Sequence, residues 1–275
     1  MKTLLICTDF SASAKHAARY GCMLASHYKF RHIVLLHAYQ TMVPTTVLPL
    51  ENTPYKDSYD VSLRQLKDLQ KELSGLTDND IIIRTRLEAV SLGESINDIC
   101  KEEEADMVVM GITGKSKFEK LFVGSNAVTV SQTSKYPVLI VPAEAPIEPI
   151  RSILFACDLN EVTATIPLDS LDKILAFFYA PLFVVNVDNK NRHFSPQTPE
   201  EMYHLHHIFD KYRPQYAFID REDITSGIID YAEKNYISLI ITVRRNYNFI
   251  QQLFHRSKTE KLIYQSIIPL LILHE

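Results

Sequence analysis

An internal repeat constrains the fold of this chain more than any other feature of its sequence. Lys2–Asp9 and Arg151–Asp158 are both short apolar runs that end in an aspartate. Placing Asp9 on Asp158 also places Ile33–Ala38 on Leu182–Val187 without a gap. Since a long repeat of this kind is one folding unit, the sequence predicts two copies of a single domain.

The second copy is shorter than the first. Near the ends of the copies, Pro137–Ile140 matches Pro269–Ile272. These two segments are separated by fewer residues than Asp9 and Asp158 are. The second copy therefore lacks a segment after its second strand. The first copy has the Pro- and Thr-rich segment Thr41–Tyr59 there, which we predict to be a long loop. The predicted parts are domain one at 1–142, a semi-rigid Pro-rich linker at 143–150 and domain two at 151–275.

Each copy alternates apolar runs with helix-like segments. Runs such as Met107–Met110 are apolar throughout, which is typical of strands buried on both faces. The alternation predicts a mainly parallel sheet with helices on both faces. Strands are predicted at 2–8, 32–38, 81–88, 106–111 and 137–141, and again at 151–157, 182–187, 215–220, 237–242 and 269–273. Helices of the first copy are predicted at 12–28, 57–74, 93–103 and 122–134.

Composition argues against several classes of protein. The net charge of −4 gives no basic field that would attract nucleic acid. No apolar run reaches the roughly 18 residues of a membrane span, and no signal peptide is recognisable. The four cysteines are far apart and form no CxxC pair, which favours a reduced, cytoplasmic protein.

Three of the seven glycines form one motif after the fourth strand of the first copy. Ligands of parallel α/β sheets bind beyond the carboxyl ends of the strands. Glycines there let the backbone approach a phosphate and adopt positive φ, and a helix N-terminus adds free N–H groups. The pattern G-x2-G-x9-G-S therefore predicts a phosphate site, with Asp9 on the same rim. Its members are Gly111, Gly114 and Gly124, followed by Ser125 and Asn126.

With these pieces in this order, the sequence resembles the universal stress protein family. The supporting segments are 5–11, 36–38, 105–111 and 136–142. The resemblance covers nearly the whole chain and implies two tandem flavodoxin-like, Rossmann-like domains of the adenine nucleotide alpha hydrolase type, each with a five-stranded sheet. In that family the last strand pairs two domains. The resemblance thus implies an internal pseudo-dimer through 137–141 and 269–273, and it leaves a further homodimer open.

The same resemblance implies an adenine nucleotide, ATP or AMP, in the first copy, and it leaves a role for magnesium open. The glycine motif with Ser125 and Asn126 would hold the phosphates, and Asp9 would contact the ribose or the adenine. The residues expected to line the base pocket are Thr8, Phe10, Ala38 and Met110. Thr113, between the first two glycines, completes the predicted nucleotide-binding set.

Catalysis is not predicted beyond a slow ATPase. Lys115 follows Gly114 as in a Walker loop, but Val109 stands where that loop needs a glycine. No general base is evident opposite the loop. Three functions remain open: a regulatory nucleotide-binding protein, a nucleotide-independent scaffold with a vestigial loop, and a slow ATPase or phosphotransferase. The glycines could also serve only to turn a tight β–α connection.

The second copy has lost the glycine motif. When Pro137 is placed on Pro269, the three glycines become Val243, Asn246 and Arg256, while the serine is kept as Ser257. A β-branched valine tolerates positive φ poorly, so this copy is predicted not to bind ATP in the family manner. The surrounding basic residues form either a solvated surface or an altered anion site. They are Arg244, Arg245, His255, Arg256 and Lys258.

Two further clusters are weighed on spacing alone. His204 and His207 are one helical turn apart and could share a metal with Asp210, although a polar helix face is the simpler interpretation. The charge run Lys101–Glu104 is predicted to be solvated. The apolar residues Phe118, Leu121 and Phe122 could cover a nucleotide or pack against the domain.

Overall fold

The fold is that of a computed structural model, which describes residues 1–39, 54–113, 125–159, 161–188, 198–244 and 258–275. The chain divides into two compact units, one made of Met1–Ile112 and Leu121–Ala143 and the other of Thr113–Lys120 and Glu144–Glu275. The first unit contains the first five strands and the second unit contains the other five.

The first unit is a parallel five-stranded sheet with four helices. Its strands are β1 (Thr3–Cys7), β2 (His32–Ala38), β3 (Ile82–Glu88), β4 (Met107–Ile112) and β5 (Val138–Pro142). Its helices are α1 (Ala12–Tyr28), α2 (Pro54–Ser74), α3 (Leu92–Glu102) and α4 (Ser125–Thr133). The strand order is β3-β2-β1-β4-β5, and each neighbouring pair is parallel.

The second unit repeats this plan. Its strands are β6 (Ile153–Ala156), β7 (Leu182–Asp188), β8 (Gln215–Asp220), β9 (Leu239–Arg244) and β10 (Leu270–His274). Its helices are α5 (Val162–Thr165), α6 (Leu168–Phe178), α7 (Thr198–Phe209), α8 (Ile224–Lys234) and α9 (Lys258–Gln265). The order β10-β9-β6-β7-β8 is again parallel throughout, which confirms two tandem Rossmann-like α/β domains.

The repeat extends to individual hydrogen bonds. Before the last strand of the first unit, the Ser134 hydroxyl donates to the Tyr136 carbonyl at 2.9 Å. In the second unit, the Ser266 hydroxyl donates to the Ile268 carbonyl at 2.8 Å. The two turns are therefore copies of one another, as the match between the ends of the two copies predicts.

The central strand of the first sheet is buried along its whole length. In the first unit, every residue of β1 is buried, and Leu4, Leu5 and Ile6 are fully enclosed. Strand order reverses at this strand, because β2 and β3 lie on one side of it and β4 and β5 on the other. Such a reversal opens a crevice at the carboxyl ends of the central strands.

Two boundaries differ from the sequence prediction, and one helical segment for which no bounds were predicted is divided in two. Helix α2 begins at Pro54, inside the predicted loop, because proline suits the first turn of a helix. Strand β4 ends at Ile112, one residue beyond the predicted end at Gly111. The first helical segment of the second unit is split into α5 and α6 at Pro167, whose nitrogen cannot donate a helical hydrogen bond.

None of the helices within the described ranges is both long enough and apolar enough to cross a bilayer.

Candidate functional site

The turn that joins β1 to α1 lies at the crevice of the first unit. The Thr8 hydroxyl accepts a hydrogen bond from the Phe10 amide at 3.0 Å, and the Asp9 carboxylate accepts one from the Ser11 amide at 3.0 Å. The Ser11 hydroxyl then caps α1 by accepting from the Ala14 amide at 3.2 Å. These local bonds hold Phe10 at a φ of 64°, a left-handed conformation that side-chain-bearing residues rarely adopt.

The carboxyl end of β2 contacts this turn directly. The Nδ1 atom of His37 lies 2.7 Å from the Thr8 carbonyl oxygen. Because a carbonyl oxygen only accepts, Nδ1 carries the proton and donates. The His37 ring also packs against the Phe10 ring, with centroids 4.4 Å apart and planes tilted by 42°. Ala38, the next residue, is half-buried at the end of the strand.

The carboxyl end of β4 packs against the start of α1. A Cβ atom on Gly111 would lie 2.3 Å from the Ser13 carbonyl oxygen and 2.9 Å from the Ala14 nitrogen. The expectation of positive φ is wrong at Gly111, because this residue lies in extended β4 and its φ is outside the left-handed region. The close approach of the helix backbone explains this glycine.

The structure brings six of the predicted site residues to the carboxyl ends of three neighbouring strands. They are Thr8, Asp9 and Phe10 after β1, Ala38 at the end of β2, and Met110 and Gly111 on β4. Thr113 is exposed beyond β4, Ser125 begins α4, and Asn126 is exposed in its first turn. The predicted residues Gly114 and Gly124 lie outside the described residues, as do Lys115, Phe118, Leu121 and Phe122.

The second unit contains the same turn with different side chains. The Cys157 sulfur replaces the Thr8 hydroxyl and accepts from the Leu159 amide at 3.4 Å. Leu159 has a φ of 49°, so it repeats the left-handed conformation of Phe10. The Asn186 amide donates to the Cys157 carbonyl at 2.9 Å, as His37 does to Thr8.

The comparisons with known proteins agree with this architecture. The model of the universal stress protein family matches residues 1–142. The chain belongs to the universal stress protein family. A universal stress protein of Methanocaldococcus jannaschii is 28% identical over 146 residues, which cover 51% of this chain and 81% of the relative. A universal stress protein of Synechocystis is 23% identical and covers 98% of this chain and 99% of the relative.

A solved structure shows the same fold along the full length. A universal stress protein from Archaeoglobus fulgidus superposes with a TM-score of 0.74 at 16% identity, covering 99% of this chain and 98% of that one. At this level of identity the similarity concerns the fold. It therefore supports the tandem arrangement and leaves the ligand to be argued from the site.

In this universal stress protein, the phosphate-loop position of the second copy is only partly described. Val243 lies on β9, paired with Leu273 of β10. Arg244, which follows it, is half-buried, and burial lowers its pKa while nearby Glu260 opposes that shift. Lys258, another predicted member of the basic loop, begins α9. The remaining members lie outside the described residues, as do Asn246 and Ser257.

The histidine cluster of α7 does not form a metal site in the described part of the chain. No group of three or more His, Cys, Asp or Glu side chains there is placed to share an ion. His204 lies 3.7 Å from Glu200, one helical turn away. The His206 ring packs against Tyr216 of β8 at a centroid distance of 4.1 Å. The proposed pair of His204 and His207 with Asp210 is therefore not supported.

The charge run at the end of α3 is exposed at Lys101, Glu102 and Glu104, as predicted, and Glu102 and Glu103 also form ion pairs with β3. Arg86 of β3 donates to Glu88, Glu102 and Glu103 at 2.6 to 3.1 Å. Arg84 adds a second pair with Glu103 at 2.9 Å. Alternate residues of a strand share one face, so both arginines of β3 reach the acidic end of α3.

Sequence reasoning missed His37 and Asn186. Each lies near the carboxyl end of the second strand in its copy, and placing Asp9 on Asp158 superposes them. That equivalence was available from the repeat. It was missed because histidine and asparagine are different residue types, although each has a side-chain N–H donor.

Proposed function

We propose that the first copy binds an adenine nucleotide, ATP or AMP, as a regulatory ligand with little or no hydrolysis. The observation that carries this proposal is the convergence of the Thr8–Ser11 turn, Ala38 and Met110 at the point where strand order reverses. Ligands of open α/β sheets bind at such points. The glycine motif follows β4 at the same edge, where backbone N–H groups and the start of α4 suit phosphate.

We propose weak catalysis because β4 occupies the position where a Walker loop would begin. A Walker loop would require a glycine turn at Val109, but Val109 is a fully buried residue within β4. The sequence around Lys115 is therefore not a Walker motif that would place this lysine on a γ-phosphate. We expect nucleotide to be held rather than consumed, with or without magnesium.

The second copy is proposed to be structural or to take a different ligand. Leu159 replaces Phe10, Val243 replaces Gly111, and the other glycines are absent. Half-buried Arg244 offers a guanidinium at the carboxyl end of β9. An anionic metabolite is the ligand class that this charge favours.

Isothermal titration of nucleotide-stripped protein with ATP and AMP tests the proposal. Gly114→Val should abolish binding, because its side chain would occupy the phosphate position while Gly111 keeps the strand packed on α1. Asn246→Val, at the equivalent position of the second copy, is the matched control and should leave the affinity unchanged. Phosphate release no faster than the uncatalysed background is expected in both proteins.

A scaffold that needs no nucleotide is the competing function. The close contact of Gly111 with Ser13 favours it in one respect, because packing alone explains one of the three glycines. Absence of ATP and AMP binding in the stripped wild-type chain, or retained affinity in Gly114→Val, would decide for the scaffold or for another site.

We further propose that segments 137–141 and 269–273 pair the two copies into an internal pseudo-dimer. The support is sequence and family alone: both segments are apolar and the family pairs domains through its last strand. A chain that carries both Leu139→Cys and Leu271→Cys should form a disulfide between these positions under mild oxidation. A failure to cross-link at any pair along these segments would contradict the arrangement.

We propose a cytoplasmic location because the cysteines are present as thiols rather than disulfides. None of the four cysteines forms a disulfide, and Cys7, Cys22 and Cys100 are buried as small apolar side chains. A reducing compartment keeps such thiols reduced. Cell fractionation with an antibody against the chain tests this location.

A further inference from the structure

One hydrogen bond is common to both copies although different side chains make it. His37 donates from Nδ1 to the Thr8 carbonyl at 2.7 Å, and Asn186 donates from Nδ2 to the Cys157 carbonyl at 2.9 Å. Both donors come from the second strand of their copy, and both acceptors lie at the end of the first strand. Since the side chain changed and the bond remained, the bond itself serves the fold of this turn.

The orientation of the accepting carbonyl affects the next residue of the turn. The Thr8 carbonyl belongs to the peptide group that carries the Asp9 nitrogen, so fixing this oxygen fixes the plane from which Asp9 projects. The turn then passes through left-handed Phe10 at a φ of 64°. A bulky residue is disfavoured in that conformation, so surrounding contacts must hold it there.

The first copy adds a contact that the second lacks. The His37 ring packs against Phe10 with a centroid distance of 4.4 Å. At the equivalent positions, Asn186 and Leu159 have no aromatic rings. The hydrogen bond is therefore shared by both copies, whereas the ring contact belongs only to the copy with the glycine motif.

We propose that His37 is a positioning residue of the nucleotide site. Its Nδ1–H bond holds the Thr8–Ser11 turn so that Asp9 faces the crevice, and its ring supports Phe10 beside the base. This role rests on the nucleotide-binding function proposed above. In the second copy Asn186 supplies the hydrogen bond alone, which keeps the turn but provides no aromatic support.

Three variants of the full chain test the role by titration with ATP. His37→Ala removes both contacts and should weaken binding about tenfold, which corresponds to about 1.4 kcal/mol. His37→Asn introduces the donor found in the second copy and should restore affinity to within about threefold of wild type, because one neutral hydrogen bond supplies most of that energy. Asn186→Ala is the matched control and should leave ATP affinity unchanged.

Amide exchange provides a readout that needs no nucleotide. In ligand-free protein, the Phe10 amide should exchange faster in His37→Ala than in wild type and return to the wild-type rate in His37→Asn. Asn186→Ala should accelerate the Leu159 amide instead. Nitrogen NMR of the wild-type ring should show the proton on Nδ1 of neutral His37.

The outcomes separate the two proposals. A wild-type chain that binds neither ATP nor AMP overturns the nucleotide function, whatever the exchange rates. Equal ATP affinities for wild type and His37→Ala, with unchanged Phe10 exchange, overturn the role of His37 and leave the nucleotide function standing. If His37→Asn binds as weakly as His37→Ala, the hydrogen bond is not what positions the turn.

Discussion

At the scale of single residues, Gly111 shows how one position can serve both packing and function. Its motif suggested a glycine that faces phosphate, whereas the structure shows backbone of α1 within 2.3 Å of where its Cβ would be. The spacing of glycines predicts where a loop lies. It does not reveal which glycine is required by a neighbouring helix, because that contact joins Gly111 to Ser13, which is far away in the sequence.

Gly111→Val should destabilise the fold by about 3 kcal/mol or more, because the new side chain must displace helix backbone rather than a flexible side chain. Urea denaturation followed by circular dichroism measures the change. Gly75→Ala is the control, since its Cβ would meet the nearest atom, the Glu72 carbonyl oxygen, at an ordinary 3.4 Å. A loss below about 1 kcal/mol in Gly111→Val would show that α1 can move away freely.

The buried thiols give the chain a pH dependence above neutrality. Burial raises the pKa of Cys22 to about 12, with a smaller contribution from Glu72, and burial raises that of Cys100 to about 12. The folded pKa lies above the unfolded value, so the stabilisation is complete below about pH 9 and is lost as the pH rises toward the folded pKa.

Cys22→Ala removes one buried thiol, so the unfolding free energy of the variant should decrease less as the pH rises. At about pH 11 the wild-type chain should have lost about 2 kcal/mol more of its unfolding free energy than the variant, relative to about pH 8. Urea denaturation at the two pH values gives the difference. Parallel pH profiles for the two proteins would mean that the Cys22 thiol ionises freely in the fold.

At the scale of elements, ion pairs connect strand β3 with the end of helix α3. Arg86 is about one-fifth exposed and contacts three carboxylates. Burial alone would lower the pKa of Arg86, but hydrogen bonds to Glu102, Glu88 and Glu103 raise it above its usual range. The guanidinium therefore stays charged, and its removal would leave a cluster of negative charge.

Arg86→Met should destabilise the protein by about 1 to 3 kcal/mol, because unpaired carboxylates remain close together. Lys29→Met is the control: its pair with Asp78 is largely exposed, with 74% of the lysine side chain accessible, and should contribute less than about 1 kcal/mol. Thermal unfolding at neutral pH compares the two. Equal melting temperatures would show that the Arg86 pairs are as weak as surface pairs.

The elements were predictable where one local signal dominates. The ten strands of the described residues were predicted within about two residues, and continuous apolar runs mark those that are buried on both faces, such as β4. Proline misled the prediction at the start of α2. Pro54 lies inside a Pro- and Thr-rich segment and yet begins α2, whereas Pro167 splits the helical segment that follows β6. Whether a proline starts or divides a helix depends on packing that the sequence does not show.

At the scale of the whole molecule, duplication has preserved the scaffold and changed the site. Both units keep the sheet order, the left-handed turn residue and the hydrogen bond from the second strand. They differ at the glycine motif and in the ring contact. The repeat made the scaffold predictable from sequence. The His37 contacts were not predictable from spacing, because they depend on which side chains meet across two strands.

One nucleotide per chain is the prediction that this asymmetry makes. Titration of stripped protein with ATP should give a stoichiometry of one, since the second copy has Leu159 and Val243 in place of Phe10 and Gly111. Val243 pairs with Leu273 as Gly111 pairs with Val141, so the two positions share their place in the sheet and differ in the side chain. A stoichiometry of two would show that the second copy binds nucleotide without the glycine motif. Gly114→Val separates these cases, because it should remove all binding if one site exists and only half of it if there are two.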